Sequence, residues 1–328
     1  MKATAIAPAN IAFIKYWGKT DLATRVPRNN SLSMNLSAMY TTTTVKFSPD
    51  LTQDQITFID EEIVQQKEID RIIKALNAIR KKTNIQLFAK VATKNSFPKA
   101  IGIASSASGF ASLATAAFAA LNKPLSEKDL SLFCRTLSGT ACRSIPSGFV
   151  EWDKGSGPDD SFAHSLYPPE YWDICDVIAI VSKSMKKVGS TEGHAIADTS
   201  PFYESRIATM GAKTEALKKA LSQKDFYTFG KIIEAETLNM HAICLTSQPS
   251  LIYWEPTTIA IMKSTISWRD YGEVESYFTI DAGPSVHVMC KAGETKKVAE
   301  KLQAIEGVQN VVINTPAQGA RLVEEHLF

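Results

Sequence analysis

Apolar positions along the chain change period several times, and each change predicts an element. Residues 3–16, ATAIAPANIAFIKY, alternate loosely as strand material, with a break or bulge at Pro8-Ala9-Asn10. Residues 31–47 are rich in alternating and β-branched positions that suit strands, and 53–60 predicts another. Over 61–82 the apolar residues Ile69, Ile72, Ile73, Leu76 and Ile79 recur at helical spacing, so an amphipathic helix is expected. A strand over 85–93 leads into FPKAIGIASSASGFASLATAAFAA, a small-residue loop feeding a helix without an internal breaker. Ser126 and Asp129 fit the S-x-x-D start of a helix that runs to Leu137.

Later segments repeat the pattern. Residues 146–152 return to a strand, and DVIAIV within 172–182 is a buried-strand candidate. Ser200-Pro201 signals a helix start, and 201–222 with 224–245 predict an antiparallel pair. Another helix is expected over 250–269, with Pro256 leaving its start open. Residues 277–290 predict two strands joined by Asp281-Ala-Gly-Pro284, followed by a helix over 294–305, a strand over 308–314 and an irregular tail. The order is that of an α+β chain with a boundary near 182–190, giving domains 1–185 and 186–328.

Composition narrows the class. The 328 residues are 45% hydrophobic and 21% charged, and 36 basic residues nearly balance 34 acidic ones. That balance gives no electrostatic footprint for nucleic acid. Five cysteines, an odd number without a C-x-x-C pair, point to a reducing compartment rather than to disulfides or zinc. No signal peptide and no apolar run of membrane-spanning length is read, so a cytoplasmic location is expected.

The candidate chemistry begins at residues 97–120. A helix start presents unpaired N–H groups and the positive end of the helix dipole, and small residues let a phosphate approach. The same serines also suit a capped helix packed on a sheet, and local sequence leaves both readings open. There is no G-x-x-x-x-G-K-[ST] and no G-x-G-x-x-G, so cations for a phosphate must come from elsewhere. Lys15-Tyr-Trp-Gly-Lys19 puts two cations and two aromatics at a loop mouth, and 138–144 has the same small polar chemistry with Arg143 added. Residues 186–193 form a third loop of cations, glycines and hydroxyls.

Six blocks carry a resemblance. PANIAFIKYWGK, ASSASGF, SGTACRS with GFVEW, STEG with TSPFY, MHAICL and YFTIDAGP occur in the order found in diphosphomevalonate decarboxylases of the GHMP kinase superfamily. The blocks span residues 8–284. The resemblance implies a two-lobed α+β fold, with an N-terminal lobe like domain 2 of ribosomal protein S5 and a ferredoxin-like C-terminal lobe. It implies ATP and Mg²⁺ as cofactors, a small-molecule substrate as partner, and a homodimer. The reaction implied takes (R)-5-diphosphomevalonate to isopentenyl diphosphate through phosphorylation of the 3-hydroxyl, in the mevalonate route to isoprenoids.

Site residues follow from the same resemblance. Ile103, Ala104, Ser105, Ser106, Ala107 and Ser108 would hold the nucleotide phosphates, with Asn10 and Ser31 placed near the adenosine. Asp281 would orient the 3-hydroxyl, Arg143 would hold the substrate carboxylate, and Lys15 belongs to the catalytic group. Tyr16, Lys19 and Arg71 would take the distal diphosphate, with Ser138, Thr140 and Ser190 around the substrate. The chain departs from the family pattern at Gly189, Thr191 and Pro146-Ser147. A 5-phosphomevalonate decarboxylase or a mevalonate 3-kinase-like relative is therefore an alternative. A non-catalytic sensor of the same fold would be expected to lack a catalytic group, whereas Asp281, Arg143 and the serine loop are all present.

Overall fold

In the computed structural model, which describes residues 2–21, 23–59, 64–97, 105–181 and 189–328, two antiparallel-rich sheets meet across a cleft. The strands are β1 (Lys2–Ile14), β2 (Ser31–Ser48), β3 (Gln55–Phe58), β4 (Phe88–Asn95), β5 (Phe149–Trp152), β6 (Ala163–Tyr167), β7 (Ile174–Ile180), β8 (Ser276–Thr279), β9 (Val286–Lys291), β10 (Asn310–Asn314) and β11 (Arg321–Val323). The helices are α1 (Gln66–Thr83), α2 (Ser105–Ala120), α3 (Glu127–Leu137), α4 (Ser190–Ala195), α5 (Tyr203–Gln223), α6 (Phe226–Thr246), α7 (Pro256–Asp270) and α8 (Thr295–Gln303).

The first sheet runs β11-β1-β2-β4-β3, and β5 pairs with β2 while carrying β6. Its Ala5, Ala7, Val45 and Val91 pack under α1 and α2. Helix α2 can lie close because it is built from small residues: Ser108 and Ser112 reach Thr41 and Thr43 of β2 at 2.7 Å each. The second sheet, β10-β7-β9-β8, is covered on one face by α7 and α8. Helices α5 and α6 fill the space between its other face and the first lobe, where Phe13, Met34, Phe229 and Tyr277 share one core.

The expected bulge in β1 is present as a register shift between Pro8 and Asn10, which turns Asn10 inward to 2% exposure. Ser126 caps α3 by accepting the Asp129 N–H. Residues 31–47, expected as strands, lie in the single 18-residue strand Ser31–Ser48. Pro256 is resolved as the first residue of α7, where its missing N–H costs nothing, with Glu255 as N-cap.

Two expectations change. The tail is not irregular, because Arg321–Val323 pairs antiparallel with β1. Nor do the sheets divide at residue 185: β7 belongs to the second sheet and β11 returns to the first, since pairing follows sheet edges rather than chain position. Among the described residues no helix is long and apolar enough to cross a membrane.

Candidate active site

The end of β1, the start of α2, the 3₁₀ turn at 139–144 and the β8–β9 turn converge at the cleft. Lys15, 1% exposed, follows β1, and its Nζ donates to Asp281 Oδ1 at 2.7 Å and to the Ala12 carbonyl at 2.6 Å. The Asp281 side chain remains 30% exposed, so it can be reached from the cleft. Burial alone would raise its pKa, but Lys15 first and Arg143 next hold the carboxyl below its ordinary value. Burial lowers the pKa of Lys15, and Asp281 and Glu236 only partly oppose this. Asp281 is thus a carboxylate at neutral pH, while burial draws Lys15 towards its neutral form and the carboxylate draws it back.

Arg143 lies beside it in the 3₁₀ turn, 2% exposed. Its Nε donates to Asn10 Oδ1 at 3.0 Å and its Nη1 to Ser31 Oγ. Asn10 Nδ2 in turn donates to Ser144 Oγ at 2.8 Å and the Thr140 carbonyl at 3.3 Å, while Ser31 donates to the Ile14 carbonyl at 2.6 Å. Asn10 and Ser31, expected near the adenosine, both aim the guanidinium. The β1 bulge is the reason, since it points Asn10 at the 3₁₀ turn. A guanidinium fixed in this way suits a carboxylate ligand.

Tyr16 and Trp17 flank the imidazole of His194 on α4, at 4.1 and 4.7 Å between ring centroids. His194 Nδ1 accepts the Gly18 N–H at 2.9 Å, which fixes that nitrogen as an acceptor, and burial holds the ring neutral. Gly139 packs on Tyr16 so closely that a Cβ would lie 2.8 Å from the ring. The Tyr16 hydroxyl is buried and has no hydrogen-bond partner among the described residues, and burial raises its pKa, so it is a donor awaiting an acceptor.

Cations collect around it. Lys19 is bridged to Pro27, and its pKa is lowered by burial and by Arg25. Arg25 also acts electrostatically on Tyr16 and Arg71, and its guanidinium donates to the Thr136 carbonyl. Arg71, exposed on α1, stands 4.9 Å from the Phe110 ring centroid. Lys19, Arg25 and Arg71 crowd together, with Glu68 partly offsetting Arg71, an arrangement that welcomes an anion.

The serine loop is placed in part. Ile103 and Ala104 lie outside the described residues, and Ser105 opens α2. Ser106, half-buried, has its Oγ 3.4 Å from that of Ser138, bringing α2 to the 3₁₀ turn. Ala107 and Ser108 face inward, with Ser108 on Thr41 of the sheet. A cavity lined by Arg71, Phe110, Ser106, Thr41, Thr93 and Asn95 opens beside this helix start. Thr140 is half-buried in the turn, and Ser190 is exposed at the start of α4. Arg25, His194, His241 and Glu236 went unassigned in the sequence reading. The turn-like context of Arg25 and the presence of His194 and His241 beside quoted blocks were the available signals.

The chain was compared with known proteins. Residues 7–163 match the diphosphomevalonate decarboxylase-like N-terminal domain, and residues 176–323 match the mevalonate 5-diphosphate decarboxylase C-terminal domain. A diphosphomevalonate decarboxylase of Ganoderma lucidum is 34% identical over 322 residues, covering 91% of this chain and 80% of the relative. The mevalonate diphosphate decarboxylase of Staphylococcus aureus superposes with a TM-score of 0.93 at 35% identity, covering 98% of both chains. A structure described as MDDEF in complex with MVAPP, AMPPCP and magnesium gives 0.91 at 35% identity, covering 99% of both chains. The chain belongs to the diphosphomevalonate decarboxylase family.

Proposed function

We propose that this chain catalyses the ATP-dependent decarboxylation of (R)-5-diphosphomevalonate to isopentenyl diphosphate, ADP, phosphate and carbon dioxide. The observation that carries the reading is the Lys15–Asp281 pair at 2.7 Å with Arg143 beside it, at the junction of the lobes. Asp281 faces the tertiary hydroxyl, and Arg143, aimed by Asn10 and Ser31, holds the substrate carboxylate. The distal diphosphate lies among Tyr16, Lys19, Arg25 and Arg71, where it accepts from the unpartnered Tyr16 hydroxyl. Ser138, Thr140 and Ser190 line the same substrate.

The nucleotide phosphates occupy the start of α2, whose N–H groups and Ser106 hydroxyl suit an anion. Among the described residues no group of three or more His, Cys, Asp or Glu could hold a metal ion. The magnesium ion would be held mainly by nucleotide phosphates and water, which is how Mg²⁺ is commonly bound. When bound, it neutralises charge on the transferring phosphoryl group.

A carboxylate held below its ordinary pKa is a weak base, so Asp281 orients the hydroxyl and receives its proton late, as the new O–P bond forms. Phosphorylation makes the 3-oxygen a leaving group. It departs as phosphate, the C–C bond to the carboxylate breaks, and that electron pair becomes the alkene. Arg143 keeps the carboxylate fixed until the bond is lost.

Purified protein should be given mevalonate, its 5-phosphate and its 5-diphosphate, with ADP and carbon dioxide followed separately. Both products from the diphosphate are expected. Turnover of the monophosphate alone identifies a monophosphate decarboxylase, and ADP without carbon dioxide identifies a 3-kinase. The same reading includes a homodimer in the cytoplasm. All five cysteines are free and buried, which fits a reducing compartment, and size-exclusion chromatography with light scattering tests the dimer.

A further inference from the structure

Lys15 and Asp281 are 266 residues apart and are held by different sheets, yet one helix touches the backbone supporting each. Glu236 of α6 accepts the Lys15 main-chain N–H at 3.2 Å through Oε1. Arg206 of α5 donates to that same oxygen at 2.5 Å and to the Lys15 carbonyl at 3.4 Å, where Asn29 also donates at 3.1 Å. One residue along α6, Thr237 Oγ1 accepts the Ile280 N–H at 3.3 Å and donates to Thr279 at 3.1 Å. Thr279 donates to the Ala12 carbonyl at 3.2 Å, the same oxygen that accepts from Lys15 Nζ. About one turn later, the buried His241 ring stands close enough to Ile280 and Asp281 to feel their electrostatics, with its Nε2 unpartnered among the described residues.

We propose that α6 sets the register of the reacting pair across the cleft, with Glu236 as a positioning residue that acts through Lys15. The proposal rests on the reading of Lys15 and Asp281 as the reacting pair. A buried ion pair is a poor device merely for joining two helices, because apolar side chains of similar volume do this as well or better. Here the Arg206–Glu236 pair, with both side chains at 0% exposure, directs one hydrogen bond each to the two polar groups of one residue outside either helix. Small misplacements of reacting groups are costly, which gives such a clamp its use.

Charge follows the same route. Lys15 is faced by Asp281 and Glu236 on one side of the balance and by Arg143 on the other, while His241 is neutral. Arg206 and Lys213 offset Glu236, the latter at 2.6 Å from Oε2 and with a side chain 20% exposed. Removing Glu236's charge should therefore lower the pKa of Lys15, and removing Lys213's should raise it.

The test uses the full chain with Glu236→Gln and Lys213→Gln. Measured are the pH profile of kcat, the ATP dissociation constant, the melting temperature, and the titration of Lys15 Nζ by NMR on ¹⁵Nζ-lysine protein, assigned by loss of the signal in Lys15→Met. Glu236→Gln should lower kcat by about 10-fold or more with ATP affinity held within about twofold. It should move the high-pH limb and the Lys15 titration down by roughly half a pH unit, and Lys213→Gln should move both up. A melting shift with limb and titration unmoved in both variants overturns the proposal. If Glu236→Gln does not fold, Lys213→Gln decides alone by the same criterion. Wild-type protein that releases no carbon dioxide from the diphosphate refutes the functional reading instead, and the NMR titration still reports on the clamp.

Discussion

Lys15 and Arg143 hold the Asp281 carboxyl below its ordinary pKa, so the enzyme's need for it is positional before it is basic. Asp281→Asn keeps shape and an acceptor for Lys15 but cannot receive the hydroxyl proton, and it removes the counter-charge of Lys15. Its kcat should fall by about 10²- to 10⁴-fold while ATP binding, read by calorimetry, stays near wild type. Activity within threefold of wild type would remove Asp281 from the chemistry. Arg25 makes a different prediction because the proposed diphosphate site would use it to bind without reacting. Its backbone sits at φ +57, a conformation glycine adopts freely, so Arg25→Gly removes the cation without straining the turn. The expected result is a KM for the diphosphate raised by about 10-fold with kcat nearly unchanged, the signature of lost uniform binding. An unchanged KM would place the diphosphate elsewhere.

At the scale of elements, α6 is fixed by contacts that its composition hides. Gly230 faces the Tyr277 ring so closely that an added Cβ would lie 2.0 Å from it. Alanine is the better helix former by about 1 kcal/mol, yet overpacking costs typically 1–3 kcal/mol and here meets a ring at less than contact distance. Gly230→Ala should therefore destabilise the protein to urea by about 2 kcal/mol; a stabilised variant would show that the helix shifts freely on the sheet. The same contrast explains what the sequence could reveal. Helix α1 was legible from its period, α3 from its cap and the β1 bulge from Pro8-Ala9-Asn10, because those signals are local, whereas α5 begins at Tyr203 rather than at the Ser200-Pro201 start the sequence suggests. Strand β11 was not, since only its pairing with β1 makes Arg321–Val323 a strand. At the site, Asp281, Arg143 and Lys15 lay in recognisable blocks. Glu236 did not stand out, because a glutamate in a helix looks like solvated surface until Arg206 and the Lys15 backbone close around it.

Across the whole molecule, two buried histidines tie folding to pH. Burial lowers the pKa of His241 to about 3, and burial followed by Lys19 and Arg143 lowers that of His194 well below its ordinary value. In the unfolded chain both titrate near pH 6.5. Below that value the unfolded state binds protons that the folded state refuses, so stability falls as pH falls through 6.5 towards the folded pKa. Between pH 7 and pH 5 His241 should remove about 2 kcal/mol, and His194 acts in the same direction. The lowered carboxyl pKa values of Asp281 and Glu236 lose their stabilising effect only below the ordinary carboxylate range, so they do not enter this window. Raised values at Asp153 and Glu234 have the opposite sign and restore some stability on acidification. A comparison of variants removes that offset. Urea unfolding of wild type and His241→Gln at both pH values should show the variant's pH dependence smaller by about 2 kcal/mol, because glutamine does not titrate. Equal pH dependence in the two proteins would mean that His241 protonates as readily folded as unfolded, and that the α6 face behind Asp281 admits a charge.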